Sequence, residues 1–190
     1  MHDLLADGII RKLWLVEADI YRDHLLRLDV ESRHSRFGRA VSDEFIAGYV
    51  DATYRLNAAV HGFFVDGTLR GAAELRPLGS AFAREAEAAM SIEPDWQGYG
   101  VGSALLDRTL LAARNRGINT LHMACLANNR RMQDLARKFA AELSFDFDGV
   151  VGEVAAARPT PLSVLRELVA DGHGFATAVL DVQSRLLKPA

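Results

Sequence analysis

Length, composition and charge point to a single globular domain and exclude several classes of protein. The chain has 190 residues, 49% hydrophobic and 25% charged, which suffices for one domain with its own core. Its 22 Lys+Arg against 25 Asp+Glu lack the basic excess of a nucleic-acid binder. Because no apolar run is long enough to span a bilayer and residues 1–7 show no leader pattern, we expect a cytoplasmic protein without membrane or nucleic-acid partners.

Apolar periodicity predicts a strand and two helices in the first part of the chain. Residues 9–16 are typical of a strand, and the spacing changes to that of a short helix over 18–28. Residues 32–37 are interpreted as a polar connection. Ser42 is placed as the N-cap of a second helix that continues to residue 55.

The rest of the chain alternates between hairpins and helices. Asp66-Gly67 between two apolar runs predicts a β-hairpin, and the alternation over 83–92 predicts a further strand. After a glycine-rich loop, the pattern predicts a helix over 102–114, a strand over 121–126, a helix over 129–141, and a hairpin of strands 145–147 and 150–156 around Asp148-Gly149.

This order predicts an α/β (α+β) fold: a mixed, mostly antiparallel sheet of six to seven strands flanked by about four helices. Pro159 and Pro161 separate this body, residues 1–157, from a C-terminal helical extension over 158–190. We expect two helices there, over 162–170 and 175–187. Their apolar stripes would pack on the domain or on a partner subunit, so a homodimer stays open.

The loop between the strand at 83–92 and the next helix has the features of an anion site. Gly98, Gly100 and Gly102 leave the backbone N–H groups unshielded, and the helix that follows adds its positive end. The P-loop pattern fails because Gly102 is followed by Ser103-Ala104, and the glycine spacing does not fit the dinucleotide fingerprint. We expect a phosphate or pyrophosphate here.

The pattern Gln97-x-x-Gly100-x-Gly102, in its strand–loop–helix setting, resembles the acyl-CoA loop of the GNAT superfamily of N-acetyltransferases. The resemblance covers residues 9–156 and implies acetyl-CoA as the cosubstrate, without a metal. Backbone groups of the strand end would bind the pantetheine arm, and Asn129 would contact the cofactor as well. The implied cofactor-binding residues are Met90, Ser91, Ile92, Gln97, Gly98, Tyr99, Gly100, Val101, Gly102, Ser103 and Asn129.

The resemblance also implies an activity: direct attack of a primary amine on the thioester, with a glutamate as general base. Glu87 is the first choice, ahead of Glu85 on the same strand face and Glu74 on the neighbouring strand. The structural alternative is that these glutamates pair with arginines such as Arg76. The helix led by Asn129 is similar to that of the bacterial protein-lysine acetyltransferase branch.

Several alternatives stay open. Ala136 stands where many members have a tyrosine that protonates the leaving thiolate, which leaves room for a non-catalytic acyl-CoA-binding sensor or regulatory domain. The amine acceptor is either a protein lysine or a small molecule. Cys125 is a nucleophile or, more in keeping with a free cysteine, a small buried hydrophobe. A basic cluster between the first helices either attracts an acidic substrate or forms a solvated loop: Arg33, His34, Arg36 and Arg39.

Overall fold

The structure, a computed structural model, describes residues 8–79, 84–146 and 149–186. Its strands are β1 Ile9–Leu13, β2 Ala59–Val65, β3 Thr68–Pro77, β4 Glu85–Ile92, β5 Thr120–Cys125, β6 Glu142–Asp146 and β7 Gly149–Ala155. Its helices are α1 Ala18–Arg27, α2 Val30–Phe37, α3 Asp43–Arg55, α4 Val101–Asn115, α5 Arg130–Lys138 and α6 Pro161–Leu186. The predicted α/β class is confirmed. Residues 1–7, in which no leader was expected, and Asp148 of the predicted last turn lie outside the described residues.

The seven strands form one sheet in the order β1-β2-β3-β4-β5-β7-β6. All neighbouring strands are antiparallel except β4 and β5, which run parallel because α4 carries the chain back between them. Leu25 and Ile46 belong to the core under α1 and α3, and Leu106 and Leu121 to the core on the other side, under α4 and α5. The sheet is therefore a central layer with helices on both faces.

The helix α2 corrects the prediction of a polar connection over residues 32–37 and raises the number of helices around the sheet from about four to five. It is short and none of its apolar residues is fully buried, so it shows no apolar stripe. The residues at its two ends, rather than an apolar pattern, mark it as a helix. Asp29 caps the first turn by accepting a hydrogen bond from the Ser32 backbone N–H at 2.6 Å, and Gly38 ends the helix with φ +71°.

The C-terminal extension is one helix, α6, and not the predicted pair. It continues through two glycines, Gly172 and Gly174, and a packing contact accounts for the second of them. A Cβ on Gly174 would lie 3.0 Å from the Cβ of Arg11, so glycine lets α6 lie close against β1. Among the described residues, no helix is both long and apolar enough to cross a membrane.

The pairing between β4 and β5 is short, and this opens the sheet at its centre. The two strands pair only at Glu85↔Thr120, Ala86↔Leu121 and Glu87↔His122. Beyond Glu87 the strands separate, while β4 continues to pair with β3 as far as Ile92. The backbone groups on the open edge of β4 therefore face a gap rather than a neighbouring strand.

Candidate active site

A cavity of about 440 Å³ occupies the gap between β4 and β5. The C-terminal end of α2 forms one wall, and β5, the start of α5 and β7 form the other. Three of the predicted catalytic and cofactor-binding residues line it: Glu87, Met90 and Asn129. Cys125, Leu126 and Met132 line it as well, so the floor is largely apolar, with Glu87 and Arg36 as its charged members.

The glycine-rich loop has the conformation that its sequence predicts. Gly98 has φ +84° and Gly100 has φ +86°, a region that glycine adopts without steric cost. Gly100 is the N-cap of α4, and no side chain caps the helix there. The first N–H groups of α4 are therefore available to an external acceptor, and the helix dipole favours an anion at this position.

Hydrogen bonds hold this loop against β4 and α5. The Gln97 side chain donates from Nε2 to the carbonyl oxygen of Ile92 at 2.8 Å and accepts from Arg131 through Oε1. Lys138 donates to Ser103 Oγ at 3.0 Å. Two cations of α5 thus stand at the uncapped end of α4. Neither Arg131 nor Lys138 was assigned a role in cofactor binding from the sequence.

The other predicted cofactor-binding residues differ in their surroundings, because some support the fold and others are exposed. Val101 is buried at the start of α4, where it packs with Phe63 and Leu105, and Tyr99 is about half exposed. Asn129 caps α5 by accepting the Met132 backbone N–H at 3.1 Å through Oδ1. Because this bond uses only the oxygen, the side-chain NH2 group of Asn129 can still donate into the cavity that it lines.

Of the three candidate bases, Glu87 is the one that lines the cavity. Its Oε2 accepts a hydrogen bond from Arg76 at 2.5 Å, and its side chain is 29% exposed. Arg76 and Glu87 are directly opposite each other on β3 and β4. Glu85, on the same face, is 61% exposed and pairs with His122 at 3.0 Å.

Glu74 lies in a buried polar cluster beneath α2. Its Oε2 accepts hydrogen bonds from Tyr49 at 2.6 Å, Arg36 at 3.0 Å and Tyr21 at 3.1 Å, and these donors come from α3, α2 and α1. Burial raises the pKa of Tyr21 and that of Tyr49, so both stay protonated donors. Arg36 is thus buried and ion-paired, which corrects the prediction of a solvated loop for this member of the basic cluster.

A second buried network, which the sequence reasoning missed, fixes the end of β4. Ser91 Oγ lies 2.9 Å from His24 Nε2, and His24 Nδ1 lies 3.4 Å from Glu93 Oε1. Burial lowers the pKa of His24, so the ring is neutral and can accept from Ser91 while donating to Glu93. Arg70 also donates to Glu93, at 2.9 Å, and Arg27 at 3.1 Å.

Glu93 is expected to stabilise the fold in a pH-dependent way. Burial by itself would raise the pKa of Glu93, but the hydrogen bonds from His24 and Arg70 and the charge of Arg27 outweigh it and lower the pKa to about 2. A carboxylate with a depressed pKa contributes stability that is complete above its ordinary value of 4.5 and is lost as the pH falls through about 2.

We therefore expect Glu93→Gln to lower the free energy of unfolding at pH 7 by about 2–3 kcal/mol, because buried donors lose a charged acceptor. Urea unfolding of both proteins at pH 7, 4 and 3 measures the difference, which should shrink as the pH falls below about 4.5. A difference that stays constant down to pH 3 would contradict the assigned role of the Glu93 charge.

Cys125 fits the role of a small apolar side chain better than the role of a nucleophile. Burial raises the pKa of its thiol, so the reactive thiolate is scarce near neutral pH. The side chain lies on the cavity wall at the end of β5. Its expected role is to fill space beside Asn129.

Sequence comparison links this chain to acetyltransferases. A family model described as the acetyltransferase (GNAT) family matches residues 10–141. Acetyltransferase PA5475 of Pseudomonas aeruginosa is 29% identical over 138 residues, which cover 69% of this chain and 74% of that protein.

Solved structures of other proteins share the fold. The GNAT domain of PAT from S. lividans aligns with a TM-score of 0.65 at 22% identity, covering 77% of this chain and 89% of that one. The yncA protein of Salmonella typhimurium, solved with acetyl-CoA, aligns with a TM-score of 0.60 at 18% identity, covering 81% of this chain and 96% of that one.

Proposed function

This chain belongs to the acetyltransferase (GNAT) family, and from that premise we propose that it transfers the acetyl group of acetyl-CoA to a primary amine. One observation carries the proposal. The gap between β4 and β5 has a loop suited to phosphate near one end and the partly exposed carboxylate of Glu87 in its wall. A cofactor that combines a pyrophosphate with a thioester at the end of a slender arm fits this arrangement.

The cofactor would be held mainly by backbone groups. Its pyrophosphate would accept hydrogen bonds from the N–H groups of residues 97–103, and Arg131 and Lys138 would add positive charge. Its pantetheine amides would pair with the open edge of β4 at residues 90–92, which β5 leaves without a partner strand. The yncA structure, which contains acetyl-CoA, supports this assignment by analogy of fold.

An alkylammonium acceptor loses two protons on its way to the amide. The first leaves before the attack and frees the nitrogen lone pair. The second leaves the nitrogen of the tetrahedral intermediate to solvent and balances the proton that the thiolate takes up. The amine nitrogen attacks the thioester carbonyl, the new C–N bond forms, and the C–S bond of the tetrahedral intermediate then breaks. Glu87 is the proposed base because it is the candidate that lines the cavity. Arg76 occupies only its Oε2, so Oε1 can take the first proton from the ammonium. The thiolate leaves without a tyrosine to protonate it, since Ala136 stands at that position, and takes a proton from solvent.

The other two glutamates are weaker candidates for physical reasons. Glu85 is mostly exposed and outside the cavity wall, and Glu74 is buried under three donors. The acceptor stays a protein lysine or a small-molecule amine. The sensor alternative draws support from the Arg76–Glu87 ion pair, because a carboxylate held permanently by arginine would be a poor base.

An amine-dependent thiol-release assay tests the proposal. Purified protein and acetyl-CoA are incubated with a diamine, free amino acids, an aminoglycoside and a lysine-containing peptide, with mass spectrometry of each product. We expect CoA release that requires one of these amines and a product heavier by one acetyl group. Tight acetyl-CoA binding without release on any of the amines would favour the sensor alternative.

A further inference from the structure

The side of α6 that faces the domain is largely polar. Ser163, Glu167 and Asp171, spaced four residues apart, lie on this side. Ser163 Oγ donates to Asn115 at 2.6 Å, Glu167 accepts from Asn115 at 2.6 Å and from Arg116 at 2.8 Å, and Asp171 accepts from Arg108 at 3.1 Å. Gly174 and Ala178 complete the contact with small residues.

The opposite side of α6 is apolar and exposed to solvent. We call it the α6 stripe, and it consists of Leu162, Leu165, Leu168, Val169, Phe175 and Val179, which are 40–75% exposed. Their spacings of three, four and seven residues place them on one side of the helix. A surface helix ordinarily presents the reverse arrangement, with apolar residues towards the core.

Acetyl transfer does not account for the α6 stripe. The family match ends at residue 141, before α6 begins, and no stripe residue lines the cavity. The stripe is also only lightly used by its own domain, where Phe175 makes an edge contact with Trp14 at 5.7 Å between ring centroids. Contiguous exposed apolar surface of this kind marks an interaction site.

We propose that the α6 stripe pairs with the same stripe of a second copy of this chain, with the two helices antiparallel and crossing at Gly172. A two-fold axis there places each residue opposite the one equally far on the other side of Gly172. Leu165 then faces Val179, Leu168 faces Ala176, and Val169 faces Phe175. A Cβ on Gly172 would meet nothing within 4 Å in one protomer, so the crossing point is open to a close approach.

Both the shape and the area of the stripe suit this partner. Larger side chains meet smaller ones in this register, which allows interdigitation around the glycine crossing. A half-exposed Leu, Val or Phe carries on the order of 80 Å² of apolar area, so six of them offer about 500 Å² per protomer. Stable interfaces bury about 800 Å² per partner, and the exposed polar side chains that flank the stripe, such as Arg166 and His173, can supply the remainder.

Analytical ultracentrifugation of the whole chain tests the pairing. At tens of micromolar we expect a species of twice the 20.8 kDa chain mass. Leu168→Glu should raise the dimer dissociation constant at least about 100-fold, because two charges would be buried near the crossing. Leu56→Glu, at a similarly exposed leucine outside α6, is the matched control and should stay dimeric. Unchanged circular dichroism and acetyl-CoA binding would show that both variants are folded.

A crosslinking experiment tests the register. In a Cys125→Ala background, Gly172→Cys should form a disulfide-linked dimer on mild oxidation, because the two residues meet at the axis. Ala170→Cys, on another side of α6, should not. A wild-type protein that is monomeric at tens of micromolar, or a dimer that survives Leu168→Glu, overturns the proposal. A dimer that forms no disulfide through Gly172→Cys overturns the antiparallel crossing.

Discussion

Replacing Glu87 with glutamine is expected to lower kcat/KM for acetyl transfer by about 100- to 1,000-fold, because general base catalysis contributes about this much. Glutamine keeps the shape of the side chain and can still accept a hydrogen bond from Arg76, but it cannot take a proton from an ammonium. The affinity for acetyl-CoA should be unchanged, since backbone groups and the α5 cations hold the cofactor in this account.

Glu85→Gln is the matched control for this experiment. Glu85 lies two residues away on the same strand face but is exposed and paired with His122, so its loss should change kcat/KM less than about three-fold. Steady-state kinetics gives the rates, and titration calorimetry with acetyl-CoA gives the affinities. Equal losses in the two variants, or full activity of Glu87→Gln, would contradict the assignment of Glu87 as the base.

The second large effect is expected at Gly100. Gly100→Asp places a carboxylate where the first N–H groups of α4 would receive the pyrophosphate, and it forces a side chain onto a backbone with φ +86°. Lost hydrogen bonds and charge repulsion together should raise the dissociation constant of acetyl-CoA at least about 100-fold, which corresponds to about 2.7 kcal/mol. Titration calorimetry measures this change directly.

Gly117→Asp separates the effect on binding from the effect on folding. Gly117 follows the other end of α4 with φ +71°, so aspartate meets a similar backbone cost there, of about 1–2 kcal/mol. Urea unfolding should show similar losses of stability in both variants, and only Gly100→Asp should weaken acetyl-CoA binding. A Gly117 variant with equally weakened binding would mean that general destabilisation, rather than the loop, causes the effect.

The parts of the site that could be predicted from sequence are those fixed by local rules. Gly98 and Gly100 adopt positive φ within a few residues of the helix that they precede, so the strand–loop–helix unit is visible in the sequence itself. Strand alternation likewise placed Glu87 five residues before the end of β4. Each of these features depends on neighbours along the chain.

The parts that could not be predicted depend on distant partners. Ser91 and His24 are 67 residues apart, and no local pattern links them. The helix α2 has no fully buried apolar residue to create periodicity, yet it supplies one wall of the cavity. Residues 171–174 were expected to lie between two helices, whereas they belong to α6, where the missing Cβ of Gly174 permits the contact with Arg11 on β1. In α6, tertiary packing outweighs the low helix propensity of glycine.

A crystal structure with acetyl-CoA bound tests the central claim most directly. We predict the pyrophosphate on the N–H groups of residues 97–103, the pantetheine arm in the gap between β4 and β5, and the thioester carbonyl on the side of the gap that Glu87 lines. A cofactor bound outside this gap, or a thioester that the Glu87 carboxylate cannot approach even through one water molecule, would contradict the account.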